Sequence, residues 1–168
     1  MHVVVAGASG ATGAHVVEKA VAAGHQVTAL VRDASSYLAP PGIEVRQAQV
    51  VADPELSLPA DTDAVISSLG PGAGKPPQPV CAPGTANLVA ALGALGGRRR
   101  LLVVSASPVH TGGQGEPLWY RGLVRPLVHR LAREMYADIA AMEQVVRGAG
   151  PDVDWTIVRP GYLTDAGP

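Results

Sequence analysis

Short apolar runs alternate along this chain with stretches whose apolar positions recur every three or four residues. The first run, Val3 to Ala6, is unbroken rather than alternating, so it reads as a strand buried on both faces. Three glycines follow, Gly7, Gly10 and Gly13, and then a helical pattern from Ala14 to Ala23 closed by Gly24. Val27 to Val31 reads as strand two. Ile43 to Arg46 is a weaker strand three, entered through Pro40-Pro41-Gly42, and Ala64 to Leu69 is strand four, ended by Gly70-Pro71-Gly72. A helix is expected from Pro83 to Leu95, with proline in its first turn and Gly96-Gly97 at its end. Leu101 to Val104 is strand five and Trp155 to Val158 strand six. Between them Leu127, Leu131, Met135, Ile139, Met142 and Val146 form one apolar stripe on a helix from Leu127 to Arg147, opened by Pro126 and closed by Gly148 to Pro151. The segment between strands three and four carries Pro54 and Pro59 and predicts no full helix.

Strands alternating with helices imply a parallel sheet, and right-handed crossovers place helices on both of its faces. The expected fold is α/β: a doubly wound parallel sheet of the Rossmann type, three layers α/β/α, with strand order 3-2-1-4-5-6. Ligands of such sheets lie at the carboxyl ends of the strands, where the order reverses between strands one and four. That rule puts Gly7 to Gly13, Arg32, Ser67 to Gly72, Ser105 to Ser107 and Pro160-Gly161 along one edge. Strand, glycine turn and helix in immediate succession offer unpaired N–H groups and the positive end of a helix dipole to an anion, the arrangement that holds a pyrophosphate. One glycine makes the tight turn, one lets the backbone approach the phosphates, and one lets helix pack close to strand. A plain turn without a ligand needs only one of the three.

The residue after strand two separates the two nicotinamide dinucleotides. An acidic side chain bonds the ribose 2′-hydroxyl of NAD, whereas arginine accommodates the 2′-phosphate of NADP. Here Arg32 comes first and Asp33 second, so NADP(H) is expected over NAD(H). Asp33 weighs against that choice, or else holds Arg32 in place, and Ser35 and Ser36 are placed to add bonds to a phosphate.

Composition narrows the class. The 168 residues suffice for a single domain with a sizeable core. Phe is absent and aromatics are 4%, so the core must be built from Val, Leu, Ala and Ile, as suits strands buried on both faces. Lys+Arg 13 against Asp+Glu 14 gives a net charge of -1, which argues against a general nucleic-acid binder. Cys81 is the only cysteine, which leaves no internal disulfide or cysteine-cluster metal site, and no histidine–carboxylate spacing suggests a metal. The N-terminus lacks the basic region of a signal peptide, and no apolar run is long enough to span a membrane. A soluble cytoplasmic protein with a small-molecule substrate and no membrane or nucleic-acid partner is expected.

Val-Ala-Gly-Ala-Ser-Gly-Ala-Thr-Gly from Val5, Val31-Arg32-Asp33, Ala64-Val-Ile-Ser-Ser-Leu-Gly70 and Trp155-Thr-Ile-Val-Arg-Pro-Gly161 together resemble the atypical short-chain dehydrogenase/reductase proteins. The resemblance covers nearly the whole chain. It is closest to the NAD(P)H-binding type, similar to NmrA-like proteins and to biliverdin reductase B/flavin reductase proteins. It implies that Gly7, Ser9, Gly10, Ala11, Thr12 and Gly13 form the pyrophosphate turn and that Arg32 meets the 2′-phosphate. Leu69, Gly70 and Pro71 would pack on the adenosine side. Ser105, Ala106 and Pro160 would lie beside the nicotinamide, with Ser105 as the candidate catalytic residue facing the hydride-accepting atom.

Two departures from the family bear on function. Many dehydrogenases of this class use Tyr-x-x-x-Lys, where lysine lowers the tyrosine pKa for proton transfer. The matching stretch here is Tyr136 to Ala140, and the only lysines are Lys19 and Lys75, so that pair is unavailable. Tyr136 is expected to be a core or surface residue of its helix instead. The family usually continues well beyond its Arg-Pro-Gly motif, so the segment that often caps the substrate pocket is expected to be lacking. His110, the Arg121, Arg125, Arg130 and Arg133 cluster, and the Trp119-Tyr120 pair are further candidates for the substrate side. Arg98-Arg99-Arg100 reads as a solvated run ahead of strand five. The leading expectation is an NADPH-dependent reductase passing a hydride to a flavin- or quinone-like acceptor. The alternatives are a non-catalytic NADP-binding sensor that signals through a protein partner, and a sugar epimerase or dehydratase, which usually needs the missing Tyr–Lys pair.

Overall fold

A computed structural model describes residues 1–71, 78–106 and 133–160. Its elements, in chain order, are β1 (His2–Ala6), α1 (Ala11–Ala22), β2 (Gln26–Val31), β3 (Glu44–Gln47), β4 (Ala64–Ser67), α2 (Cys81–Leu95), β5 (Arg99–Val104), α3 (Arg133–Arg147) and β6 (Val153–Val158). The six strands make one sheet in the order β3-β2-β1-β4-β5-β6. Every pairing is parallel, with Val5 opposite Ala29 on one side and Ile66 on the other. The central strands β1, β2 and β4 are short, apolar and largely buried, whereas the edge strands β3 and β6 are more exposed.

Alternation along β1 sorts the core into two layers. Val3 and Val5 pack with Val17 and Ala20 of α1 and with Val27, Ala29 and Val31 of β2. Val4 and Ala6 point the other way, into a cluster with Leu88 and Leu92 of α2, Leu101 and Val103 of β5, and Ile139, Met142 and Val146 of α3. The described helices therefore cover both faces, α1 on one and α2 with α3 on the other, in the three-layer doubly wound arrangement read from the sequence. Ile139, Met142 and Val146 are the buried part of the stripe, and Met135 packs half-buried at its start. The first residues expected in that helix, 127–132, lie outside the described residues.

The boundaries differ from expectation at several ends, each for a local reason. Helix α1 starts at Ala11, not Ala14, because Gly10 takes the extended N-cap conformation and its carbonyl accepts the Ala14 N–H at 2.9 Å. Helix α2 starts at Cys81, two residues before Pro83, because a carboxylate from α3 supplies its first acceptors. Strand β5 begins at Arg99 and β6 at Val153, since the two strands pair from Arg99–Val153 onward. Arg99 and Arg100 thus belong to the strand, and only Arg98 precedes it, in an exposed ion pair with Asp154 at 2.7 Å. Strand β4 ends at Ser67, where Ser68 turns its hydroxyl back onto the Ala6 carbonyl. Strand β3 runs Glu44–Gln47, one residue later than the sequence pattern suggests. Among the described residues no helix is long and apolar enough to cross a membrane, and no group of His, Cys, Asp and Glu is placed to hold a metal ion.

Candidate functional site

The chain leaves β1 at Ala6 and reverses through Gly7, whose φ of +80° lies in the left-handed region that glycine adopts freely. A Cβ on Gly7 would meet the Ser68 carbonyl oxygen at 2.7 Å, because the turn presses against the end of β4. Gly13 is tighter still: a Cβ there would lie 2.0 Å from the Gly7 carbonyl oxygen. Gly10 is different. Its nearest neighbour would be the Gly7 oxygen at 3.3 Å, and its other side is open. Two glycines therefore serve packing of the turn and the third leaves a backbone surface bare, as the spacing implied. Gly10 N–H donates to the Gly7 oxygen at 3.0 Å. Between that bond and the one from Ala14, the N–H groups of Ala11, Thr12 and Gly13 take no acceptor among the described residues. The start of α1 carries no acidic side chain and no side-chain cap of its own. Open donors at the positive end of a helix dipole suit an anion.

This turn floors a cleft of about 730 Å³ at the carboxyl ends of the strands. Of the residues expected at the cofactor, Gly7, Ser9, Gly10, Ala11, Thr12, Arg32, Leu69, Gly70 and Pro71 line it together. Gln49, Val50, Val51, Gln78, Pro79 and Val80 line it too, and these were not anticipated. The segment 72–77, the middle of the Gly/Pro-rich loop, lies outside the described residues.

At the end of β2, Arg32 is exposed and faces the cleft. Gln49 donates to its carbonyl at 3.4 Å. Asp33 is engaged locally, because its Oδ1 accepts both the N–H of Ser35 at 2.9 Å and the Ser35 hydroxyl at 2.7 Å. Those bonds hold the Asp33 carboxyl below the usual carboxylate range. It does not line the cleft.

Gly13, Ser105, Ala106 and Pro160 lie outside the cleft lining. Gly13 packs beneath the turn. Ser105, at the end of β5, is 5% exposed, and its hydroxyl donates to Glu143 Oε1 at 2.6 Å. Pro160 follows Arg159, whose guanidinium forks the same carboxylate, Nε to Oε1 and Nη2 to Oε2, both at 2.7 Å. Arg147 adds a third cationic donor to Oε2 at 2.7 Å. Glu143 is 1% exposed, so a buried carboxylate ties the ends of β5 and β6 to α3. It also keeps the Arg159 pKa raised. Tyr136, on α3, packs half-buried against the core.

Sequence reading missed Glu143, Arg159 and Asp138. The signal for Glu143 was present, because a carboxylate four residues after Ile139 and three before Val146 sits on the buried stripe, where it must find partners. Ser107, His110, Trp119, Tyr120, Arg121, Arg125, Arg130 and Gly161 fall outside the described residues. Arg133 is exposed in the first turn of α3.

The family of NAD(P)H-binding proteins matches residues 7–168. The chain belongs to the NAD(P)H-binding family. A nicotinamide dinucleotide is accordingly its cofactor class, and the cleft fits one: bare glycine backbone and open N–H donors at the helix start, with a cation beyond β2. The oxidoreductase ylbE from Lactococcus lactis is a similar solved structure, with a TM-score of 0.77 at 19% identity, covering 99% of this chain and 72% of that one. A candidate NADH-flavin reductase from Streptococcus pneumoniae is similar at a TM-score of 0.61 and 24% identity, covering 95% of this chain and 71% of that one. Gre2 from Candida albicans, in complex with NADPH, is similar at a TM-score of 0.68 and 14% identity, covering 96% of this chain and 58% of that one. At these identities the three share its fold.

Proposed function

We propose that this protein is an NADPH-dependent reductase that passes a hydride to a small conjugated acceptor, a flavin- or quinone-like ring. The observation that carries the NADPH preference is the division of labour after β2: Arg32 lines the cleft, while the Asp33 carboxylate is occupied by Ser35. A ribose 2′-hydroxyl needs a free acceptor, and a 2′-phosphate needs a cation. Gly10 and the open N–H groups of Ala11 to Gly13 would hold the pyrophosphate, and Leu69 to Pro71 the adenosine side. Ser105, Ala106 and Pro160 would flank the nicotinamide.

Bound there, the dinucleotide supplies the hydride, and the protein supplies orientation and exclusion of water. The Ser105 hydroxyl donates to Glu143, so a neighbouring nicotinamide would be offered only its lone pairs. In that state it would accept an N–H from the carboxamide rather than protonate the substrate. With no lysine to accompany Tyr136, no side-chain acid of the usual pair serves the acceptor. Flavins and quinones fit this restriction, since the reduced ring takes its proton from water. The experiment is NADPH oxidation with a panel of flavins and quinones, in which at least one acceptor should turn over.

The missing lysine also favours one rival, a non-catalytic NADP-binding sensor acting through a protein partner. NADPH binding without turnover of any acceptor would select it.

A further inference from the structure

Helix α2 lacks a cap of its own. Val80 stands at its N-cap position without a side-chain acceptor, and its first turn holds no acidic residue. The leading N–H groups all go to one carboxylate from another helix: Val80 and Cys81 donate to Asp138 Oδ2 at 2.8 Å, and Ala82 donates to Oδ1 at 2.9 Å. Asp138 lies on α3 and is 8% exposed. A buried carboxylate at a helix N-terminus, taking three N–H bonds and facing the positive dipole end, is a strong fixing point.

What it fixes is a wall of the cleft. Val80 lines the cleft directly. Cys81 donates its S–H to the carbonyl of Leu69, a second lining residue, at 3.3 Å. Gly84, one turn on, is pressed to Leu69 so closely that a Cβ would stand 2.5 Å from its Cδ1. Asn87 donates to the carbonyls of Val50 at 2.9 Å and Val51 at 3.3 Å, which also line the cleft. Leu69, Val50 and Val51 are thus fastened to α2, and the start of α2 is fastened to Asp138.

We propose that Asp138 is a positioning residue for the dinucleotide: absent from the cleft lining, it sets the adenosine-side wall through the first turn of α2. The inference rests on the cleft holding the dinucleotide. Because α3 also carries Glu143, which holds the ends of β5 and β6, the same helix keeps the two ends of the expected cofactor path in register.

Calorimetric titration with adenosine 2′,5′-bisphosphate and with NADPH, well below the melting temperature, tests this. Asp138→Ala should weaken binding of the bisphosphate fragment roughly tenfold, a size typical of coupling through a packed network. Asp138→Asn keeps one oxygen acceptor and should recover most of the affinity. Should Asp138→Ala fail to fold, the Asn variant carries the test with a smaller loss. Val146→Ala, which empties a buried site on the same helix, should lower the melting temperature and bind as wild type does. Unchanged affinity in the Asp138 variants, or an equal loss in Val146→Ala, overturns the role of Asp138 alone. Wild-type protein that binds neither ligand overturns the dinucleotide reading, and this inference with it.

Discussion

Replacing Glu143 with glutamine keeps the shape of the buried side chain and removes its charge. Glu143 is 1% exposed and accepts from Arg159 twice, from Arg147 and from Ser105, at 2.6 to 2.7 Å. In the variant one oxygen survives, and the new amide N–H₂ confronts a donor. Removing one partner of a fully buried ion pair costs about 3–5 kcal/mol. Here the arginines are 36% and 37% exposed at the side chain, so water can rehydrate them and the upper figure does not apply. Ser105, at 5%, has no such recourse, and an unsatisfied buried group costs about 1–3 kcal/mol. The net loss should be about 2–3 kcal/mol. With a urea m-value of about 2 kcal/mol per M, the midpoint should fall by roughly 1–1.5 M at unchanged slope. Arg159→Ala should cost more than Arg147→Ala, since Arg159 supplies two of the bonds. A midpoint shift below about 0.25 M for Glu143→Gln would mean that the network is solvated and the reasoning wrong.

Other outcomes follow from single positions. Gly13→Ala would drive a Cβ to 2.0 Å from the Gly7 oxygen, backbone that cannot swing aside, so it should lose about 3 kcal/mol or fail to fold, as read by thermal melting. Gly10→Ala meets only one atom, at 3.3 Å, and should keep the melting temperature within a few degrees while weakening nucleotide binding in titration. Asp61 is held below the usual carboxylate range chiefly by hydrogen bonding from the His2 imidazole, whose Nδ1 lies 2.9 Å away. A lowered carboxylate pKa contributes stability above its unfolded value, near pH 4, and that contribution is lost as pH falls through the folded value. Stability measured from neutral to acid pH should therefore decline less steeply below pH 4 in Asp61→Asn. Burial, with the Asp138 carboxylate beside it, pushes the Cys81 thiol up to about 12, so alkylation should be very slow at neutral pH in folded protein and faster in Asp138→Ala.

Strand order was legible because alternating elements with right-handed crossovers allow few topologies, and the glycine turn because it rests on local pattern. Val3 to Ala6 must be buried, the glycine spacing must turn, and one arginine stands at the strand end. The missed features are contacts between residues far apart in the chain. Nothing near Val80 announces that its N–H will be capped from position 138, and nothing in the Arg-Pro-Gly motif says that its arginine will fork a carboxylate on α3. Both are visible in hindsight as charges on a buried helix face, where burial without partners is too costly to persist. The early start of α2 has the same origin, because tertiary capping extended a helix that local propensity would begin at proline.

The most direct test is calorimetric titration of the wild-type protein and of Arg32→Ala with NADPH and with NADH. The wild type should bind NADPH more tightly. Arg32→Ala should lose about tenfold to a hundredfold for NADPH, the range for a charged hydrogen bond, and stay within about twofold for NADH. Equal losses for the two nucleotides would contradict the role given to Arg32. A wild-type protein that binds neither would contradict the dinucleotide cleft itself.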